Sequence, residues 1–587
     1  MPYDVLIIGG GHNGLVCAAY LARAGRRVLV LEARHIAGGA AVTEEFHPGF
    51  RNSVAAYTVS LLHPQVIRDL RLAEHGLRIV QRPMSNFVPL DPDAATSAAT
   101  KNGAGSGSAG GSASASADST ADNALRIGPN MEDTVRAVAR FSCKDAEALP
   151  RYYAMLDRLA DELRKWILKA PPDPNAGIGG IIDTLKTGLA LRGLPQEAQR
   201  DLIDLFGRSA GEMLDDWFET DALKAALGFD SIVGAYASPY SPGSAYVQLH
   251  HCFGEVNGKK GAWGHAIGGM GAITQAMARE CERLGVTIRL NAKVARVITH
   301  AGRATGVVLD SGEEIQARSI AANVGPKLLF NQLIDANDLP PAFVTRMQRF
   351  KTGSGVLRMN VALSELPDLC GLGTQQQAHH GAGIILAPSL GYMHRAYEDA
   401  RATGMSAQPV VEVLIPSTLD DTLAPKGQHV ASLFCQSFAP QLPTVASAPG
   451  DAGSRPGSNA GSNAGSNAAT ATTATAGQSW DAAREHAADL VIDTVTRFAP
   501  NFKRSVIARQ VLTPLDLERT FGLTDGDIFH GRLSLEQLFA SRPMLGYANY
   551  RTPLKGLYLC GAGAHPGGGV TGAPGHNAAQ AMLRDHC

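Results

Sequence analysis

The chain contains no Cys-x-x-Cys pair. Its eight cysteines, Cys17, Cys143, Cys252, Cys281, Cys370, Cys435, Cys560 and Cys587, are scattered without repeated spacing. Zinc ribbons and thioredoxin-like redox motifs are thereby excluded, and the cysteines read as small hydrophobes of a reduced compartment. Surplus charge of either sign is also missing: 53 Lys and Arg stand against 54 Asp and Glu, so no basic face signals a nucleic-acid partner. Every apolar stretch is broken by Gly, Pro or charge well short of the roughly 20 residues that cross a membrane, and no transmembrane segment is expected. The first strand-like run begins at Tyr3, which leaves no room for a signal or transit peptide and makes the cytoplasm the expected location. No H-E-x-x-H occurs, and His250, His251, His265, His530, His565 and His576 lack partners at metal spacing, so no metal is expected.

What is present is ample core-forming material: 587 residues, 45% hydrophobic and 18% charged, enough for at least two domains. Two stretches, Ala94 to Ala121 and Ala446 to Gln478, are Ser/Ala/Gly/Thr mixtures, the second with the repeat GSNAGSNAGSNA, and read as flexible loops. The first lies between the apolar runs Asn86 to Leu90 and Leu125 to Ile127 and reads as an expanded hairpin loop. The rest is mixed α/β. Asp4 to Ile8 and Arg27 to Leu31 flank a small-residue helix, Leu15 to Arg23, in a βαβ unit. Val286 to Leu290, Ala292 to Ile298, Thr305 to Leu309 and Ser319 to Ala322 read as a β-meander, residues 156–227 as mainly helical, and Leu557 to Cys560 as a final buried strand before a last helix.

The βαβ unit carries Gly9-Gly10-Gly11-His12-Asn13-Gly14 between strand and helix and ends its second strand in Glu32, the full context of a Rossmann dinucleotide site. Gly9 allows the tight exit from the strand, Gly11 lets backbone approach a pyrophosphate, and Gly14 lets helix and strand pack closely. The helix N-terminus with His12 and Asn13 offers unpaired N–H groups and positive dipole to the phosphates. Glu32 is placed for ribose hydroxyls and disfavours a 2′-phosphate. Beyond it, Ala33, Arg34 and the doublet Gly38-Gly39 provide a second close backbone approach, as an extended dinucleotide with a flavin end requires; Arg34 reads equally as a ligand contact or a surface arginine. Near the other end, Gly561-Ala562-Gly563-Ala564-His565-Pro566-Gly567-Gly568-Gly569-Val570-Thr571-Gly572 follows a buried strand and precedes a helix. Two glycine nests converging on one ligand point to FAD.

These elements, with Gly264-His265-Ala266-Ile267-Gly268-Gly269-Met270 and the meander through Val294 to Asn323, resemble the phytoene desaturase-like family of FAD-dependent oxidoreductases, grouped with the amine oxidases, over most of the chain. Within it, GHNGLVCAAYLARAG, GGAAVTEEFHPGF, GDIFHG and YLCGAGAHPGGGVTG resemble the branch called pyridine nucleotide-disulfide oxidoreductase domain-containing protein 2. Without a Cys-x-x-Cys pair, disulfide reduction is not the expected activity. The resemblance implies Gly9, Gly11 and Gly14 at the pyrophosphate, Glu32 at the adenosine ribose, Gly39 on the flavin side, Val294 at the adenine, and Gly561, Gly569 and Val570 in the terminal flavin loop. Ala40 departs from the Arg that many desaturases carry after the doublet, which puts a carotene substrate in doubt.

The expected architecture is α/β: a Rossmann-type FAD-binding domain with a central parallel sheet and β-meander, interleaved with a mixed substrate domain carrying a helical cap. Its FAD-binding parts are expected at 1–90, 256–330 and 546–587, the helical cap at 122–255 and the substrate domain at 331–545, with loops at 94–121 and 446–478. The expected activity is hydride transfer from an apolar, isoprenoid or lipid-like substrate to flavin; the alternatives are an amine oxidase and an FAD-stabilised regulatory or interaction protein with little turnover. No catalytic residue is assigned. Arg51 and Tyr57 are candidates to orient a substrate or are structural, and His565 and His576 are candidates for hydrogen bonds to flavin or for proton transfer. Ile178 to Leu194 reads as a buried helix or as a surface-seeking one offering peripheral membrane contact.

Overall fold

In the computed structural model, residues 3–91, 123–172, 177–443 and 479–585 are described. The two Ser/Ala/Gly stretches, 94–121 and 446–478, lie outside the described residues.

Two seven-stranded sheets organise the chain. The first is built on β1 (Tyr3–Ile8), α1 (His12–Arg23) and β2 (Val28–Leu31). Continuous apolar strands such as VLII and VLVL belong in a parallel sheet covered on both faces. Five strands run parallel in the order Thr287–Arg289, β2, β1, Glu314–Ala322 and Leu557–Leu559. Glu314–Ala322 serves twice: its first residues pair antiparallel with Arg303–Leu309, and its later ones pair parallel with β1. The meander is therefore Val294–His300, Arg303–Leu309 and Glu314–Ala322. The run expected to open the meander, Val286 to Leu290, instead contributes Thr287–Arg289 to the parallel sheet as an edge strand on β2, with Ile288 opposite Val30. α1 packs between the helices Gly271–Arg283 and Ala573–Arg584 and buries Leu15, Val16, Cys17, Ala18, Ala19 and Leu21. Its small residues permit that close approach, and each fully buried Leu or Val contributes roughly 1.5–3 kcal/mol.

The second sheet is mainly antiparallel, in the order Val506–Leu512, Val356–Leu363, His429–Phe438, Met405–Leu414, Gly383–Leu386, Asn86–Pro89 and Ala124–Ile127. The last two strands form the antiparallel pair flanking residues 92–122, with Asn86 opposite Ile127. Asn86–Pro89 thus hydrogen-bonds in the second sheet, although the expected first FAD segment ran through residue 90. Side chains alternate across this sheet. Leu357, Met359, Val361, Leu433, Cys435, Val411 and Val413 pack with the helix Trp480–Phe498, while Val356, Phe434 and Val410 face the helical region. That region contains Cys143–Ile167, Gln196–Gly207, Ala210–Trp217, Asp221–Gly228 and Ser244–His251.

Candidate active site

A cavity of about 720 Å³ runs from the glycine turn after β1 to the second sheet. At its first end α1 begins at Gly11 with no capping side chain, so its leading N–H groups are available to an anion. Gly11 and Gly39 face each other across this turn: a Cβ on Gly39, whose φ is +57°, would lie 3.0 Å from the Gly11 Cα. Gly38 N donates to Gly10 O at 2.9 Å and fastens the second glycine loop beside the first. Glu32 accepts from Gly10 N at 2.8 Å and Arg34 N at 2.9 Å, so its carboxylate braces the loop as well as bordering the cavity.

Gly9, Gly11, His12, Asn13, Glu32, Ala33, Arg34, Gly39, Val294, Gly569 and Val570 all line the cavity. Gly14, Gly38 and Gly561 stand behind its wall. A Cβ on Gly14 would lie 2.2 Å from Gly9 O, which makes this glycine the contact between helix and strand rather than a phosphate contact. Arg34 is no solvated arginine: its Nη2 meets the Glu44 carboxylate at 2.7 Å and its guanidinium lies 5.0 Å from the Phe521 ring centroid. The buried Nη1 of Arg34, Nε2 of His12 and Oδ1 of Asn13 have no hydrogen-bond partner among the described residues. Burial, opposed by the Gly569 backbone, pushes His12 down to about 4, leaving a neutral imidazole. Unmet donors and acceptors around an uncapped helix end fit a phosphate-bearing, hydroxyl-rich dinucleotide.

The far end is built by strand register. Arg358 pairs with Phe434, and Phe434 pairs with Glu412, so the three lie in one row across adjacent strands on the face opposite the Trp480–Phe498 helix. Tyr57 spans this row. Its ring stacks on Phe434 at 5.1 Å and lies 4.4 Å from the Arg358 guanidinium, while its hydroxyl donates to Glu412 at 2.5 Å. Burial, with Glu412 adding to it, raises the Tyr57 pKa and keeps that proton on the phenol. Arg82 lies 3.9 Å from Glu412, donates to Thr58 Oγ1 at 2.6 Å and stacks toward Trp263. Tyr57, Arg358, Phe434, His251 and Trp263 line the cavity together with Val59, Leu61, Val233, Ile528 and Phe529.

Of the side chains singled out from sequence, Tyr57 reaches the cavity and Arg51 does not; Arg51 is exposed on the strand Phe50–Ser53. His565 and His576 are also behind the wall. His565 Nε2 faces Trp166 O at 3.1 Å, and His576 is buried beside Asn577 with its ring against Tyr20. The histidines that do line the cavity are His12, His251 and His530. The helix Gly177–Arg192 is not a buried element: Ile181, Leu185 and Leu189 are 51%, 61% and 63% exposed. Sequence reasoning missed Arg358, Phe434, Glu412 and Arg82. The available signal was a single charge within each of two largely apolar runs, VLRMNVAL and PVVEVL.

His265 belongs to a structural pair. Asp420 Oδ2 meets His265 Nε2 at 3.0 Å and accepts from Gly268 N at 2.6 Å, holding the Gly264–Ala266 strand to the loop after the second sheet's Met405–Leu414. Burial pushes the Asp420 carboxyl up, but His265, Thr422 and the Gly268 and Thr422 amides outweigh it and hold it at about 2. An unfolded aspartate titrates near about 3.9, so this group's stabilisation is full above about pH 4 and drains away as pH falls through 2, roughly 2 kcal/mol in all. Urea unfolding at pH 6 and pH 3 is expected to show a smaller loss for Asp420→Asn than for the native chain; equal losses would refute the linkage.

The comparisons with known proteins agree with this geometry. The NAD(P)-binding Rossmann-like domain family matches residues 7–71, and the flavin-containing amine oxidoreductase family matches 126–357. Pyridine nucleotide-disulfide oxidoreductase domain-containing protein 2 of Rattus norvegicus is 39% identical, covering 99% of this chain and 94% of its own. A limonene dehydrogenase subunit of Castellaniella defragrans is 26% identical over 99% of this chain and 94% of its own. Among solved structures, an oxidoreductase from Methanosarcina mazei shares the fold with a TM-score of 0.56 at 15% identity, covering 99% of this chain and 100% of that one. Two converging glycine nests, the unmet polar atoms between them and full-length similarity lead to one assignment: the chain belongs to the family of pyridine nucleotide-disulfide oxidoreductase domain-containing protein 2 and is an FAD-dependent oxidoreductase.

Proposed function

We propose that the protein oxidises an apolar, lipid-like substrate by dehydrogenation. The observation that carries this reading is the continuity of one cavity from the FAD end to a wall of Val59, Leu61, Val233, Phe434, Ile528 and Phe529. Bound FAD supplies a hydride acceptor. The chain's own residues bind it through Gly9, Gly11, His12, Asn13, Glu32, Arg34, Gly39, Val294, Gly569 and Val570, and the apolar wall excludes water from the reacting carbon. Tyr57 keeps its proton, donates it to Glu412 in a hydrogen bond and presents a flat ring to the substrate. The segments 1–90, 256–330 and 546–587, apart from Asn86–Pro89 in the second sheet, form the FAD-binding part of this reading, and 122–255 with 331–545 form the substrate part.

Two further observations support it. The limonene dehydrogenase relative has a name that gives a hydrocarbon, and the exposed stripe of Ile181, Leu185 and Leu189 suits transient contact with an apolar phase. No helix among the described residues is long and apolar enough to cross a membrane, so such contact is peripheral. An amine substrate is disfavoured because Arg358 in the wall repels an ammonium group. Anaerobic mixing of the holoenzyme with an unsaturated long-chain lipid and, separately, with octylamine tests the reading. The lipid is expected to bleach the flavin absorbance and the amine to leave it unchanged. Bleaching by the amine alone would replace the reading with an amine oxidase.

A further inference from the structure

Arg358 is a buried cation with no ion-pair partner among the described residues. Its side chain lies on the cavity face of the second sheet and the residue is 1% exposed. Nη1 donates to Leu433 O at 2.7 Å and Nη2 to Ser432 Oγ at 2.6 Å, both neutral acceptors, and Nε has no partner among the described residues. The carboxylate in its row, Glu412, is two strands away with Phe434 and the Tyr57 ring between them; the two charges act on each other without forming an ion pair. Glu412 is moreover already engaged by the Tyr57 hydroxyl and by Arg82. Asp230 adds no charge at neutral pH, since burial, with Glu412 adding to it, pushes its carboxyl up to about 8 against the pull of Arg82. Two buried guanidinium groups therefore share one carboxylate, Glu412, whose own burial raises its pKa against the pull of Arg82, and the unpaired positive charge sits on the side chain that borders the cavity.

A fully buried charge is stable only when paired, and the usual partner of a planar guanidinium is a carboxylate. Burial weakens the hold of Arg358 on its proton, opposed first by Tyr57, yet a guanidinium stays charged at any physiological pH. The pyrophosphate end of the cavity is at the other glycine-lined side, so the dinucleotide phosphates are not the missing partner. Arg358 itself is flanked by the Tyr57 and Phe434 rings, and the cavity they line also carries Val59, Leu61, Val233, Ile528 and Phe529, a surface that suits a hydrocarbon chain. We propose that the substrate is an apolar chain bearing a carboxylate, and that Arg358, set against the Tyr57 ring beside Phe434, is the residue that binds the carboxylate. This rests on the reading of an apolar substrate given above and adds the head group that orients it.

The test is a binding titration of the oxidised holoenzyme, which requires no turnover. Octanoate, octanol and octylamine are added separately and the flavin absorbance is followed. Octanoate is expected to perturb the flavin saturably, with octanol and octylamine at least about tenfold weaker. Arg358→Met is expected to lower octanoate affinity at least about tenfold while flattening the preference over octanol, and Arg358→Lys to retain part of that preference. Octylamine binding as tightly as octanoate to the native enzyme would overturn the proposal even if both variants failed to fold. So would an unchanged octanoate affinity in Arg358→Met; if that variant instead lost sulfite reactivity of the flavin, Arg358 would be serving the cofactor. Failure of the dehydrogenation reading appears separately, as flavin that binds octanoate but is bleached by no lipid.

Discussion

Gly11→Val is expected to yield a folded protein that purifies without FAD. Gly11 is the point at which the N-terminal turn comes within van der Waals reach of the second glycine loop and borders the cavity. Even a single Cβ there would lie 2.9 Å from Asn323 Nδ2 and 3.7 Å from the Gly39 Cα, so the two extra methyl groups of valine have only the cavity to enter. Overpacking costs the free protein about 1–3 kcal/mol, which a chain of this size tolerates. The ligand fares worse, because the valine occupies the approach that a pyrophosphate needs at the uncapped start of α1. Affinity for FAD is expected to fall by at least about a hundredfold. Glu32→Ala should be milder, since that carboxylate also spends its oxygens on Gly10 N and Arg34 N and is one contact among many. Visible absorbance of the purified variants and their thermal melts make the comparison. Stoichiometric FAD in folded Gly11→Val would refute the placement of the pyrophosphate.

Arg542→Met is expected to be the most destabilising single change. Arg542 is fully buried, and its guanidinium donates to Phe529 O at 2.7 Å, Ala562 O at 2.8 Å, Gly531 O and Arg532 O at 3.1 Å, and Gln537 O at 3.2 Å. These carbonyls belong to two segments with little regular structure, residues 529–537, where only Leu535–Gln537 forms a 3-10 turn, and the terminal glycine loop. One side chain therefore supplies the hydrogen bonds that a sheet or helix would have supplied. Methionine fills much of the volume but leaves those buried carbonyls unmet and removes the positive charge that faces the buried Asp527. A loss of roughly 3–5 kcal/mol follows, with lysine an incomplete replacement because it has three donors at a single point. Denaturant midpoints measure this. A change under about 1 kcal/mol for Arg542→Met would show that the carbonyls find other partners.

The parts of the site that were legible in the sequence are those where backbone must approach backbone. Gly9, Gly11, Gly14, Gly38 and Gly39 announce themselves because a side chain at these positions would press on the neighbouring turn or fill the cavity beside it, and Gly569 and Val570 border the same cavity from the other end of the chain. The βαβ unit was legible for a related reason: apolar strands of four to six residues flank a helix of small residues. The substrate end was not. Arg358, Glu412 and Phe434 become neighbours only through the register of three strands, and register depends on the whole sheet. Arg82 and Tyr57 join them from an unrelated part of the chain. Histidines were misjudged because adjacency to the terminal glycines says nothing about direction: His565 turns toward Trp166 and His576 toward Tyr20, while His12, inside the glycine turn itself, faces the cavity.

FAD is expected to occupy the cavity between the two glycine nests. The direct measurement is the visible spectrum and extracted flavin content of the purified chain, before and after incubation with FAD. A yellow protein carrying stoichiometric, tightly held FAD is the predicted result. A colourless protein that is folded, yet takes up no FAD on reconstitution, would contradict it.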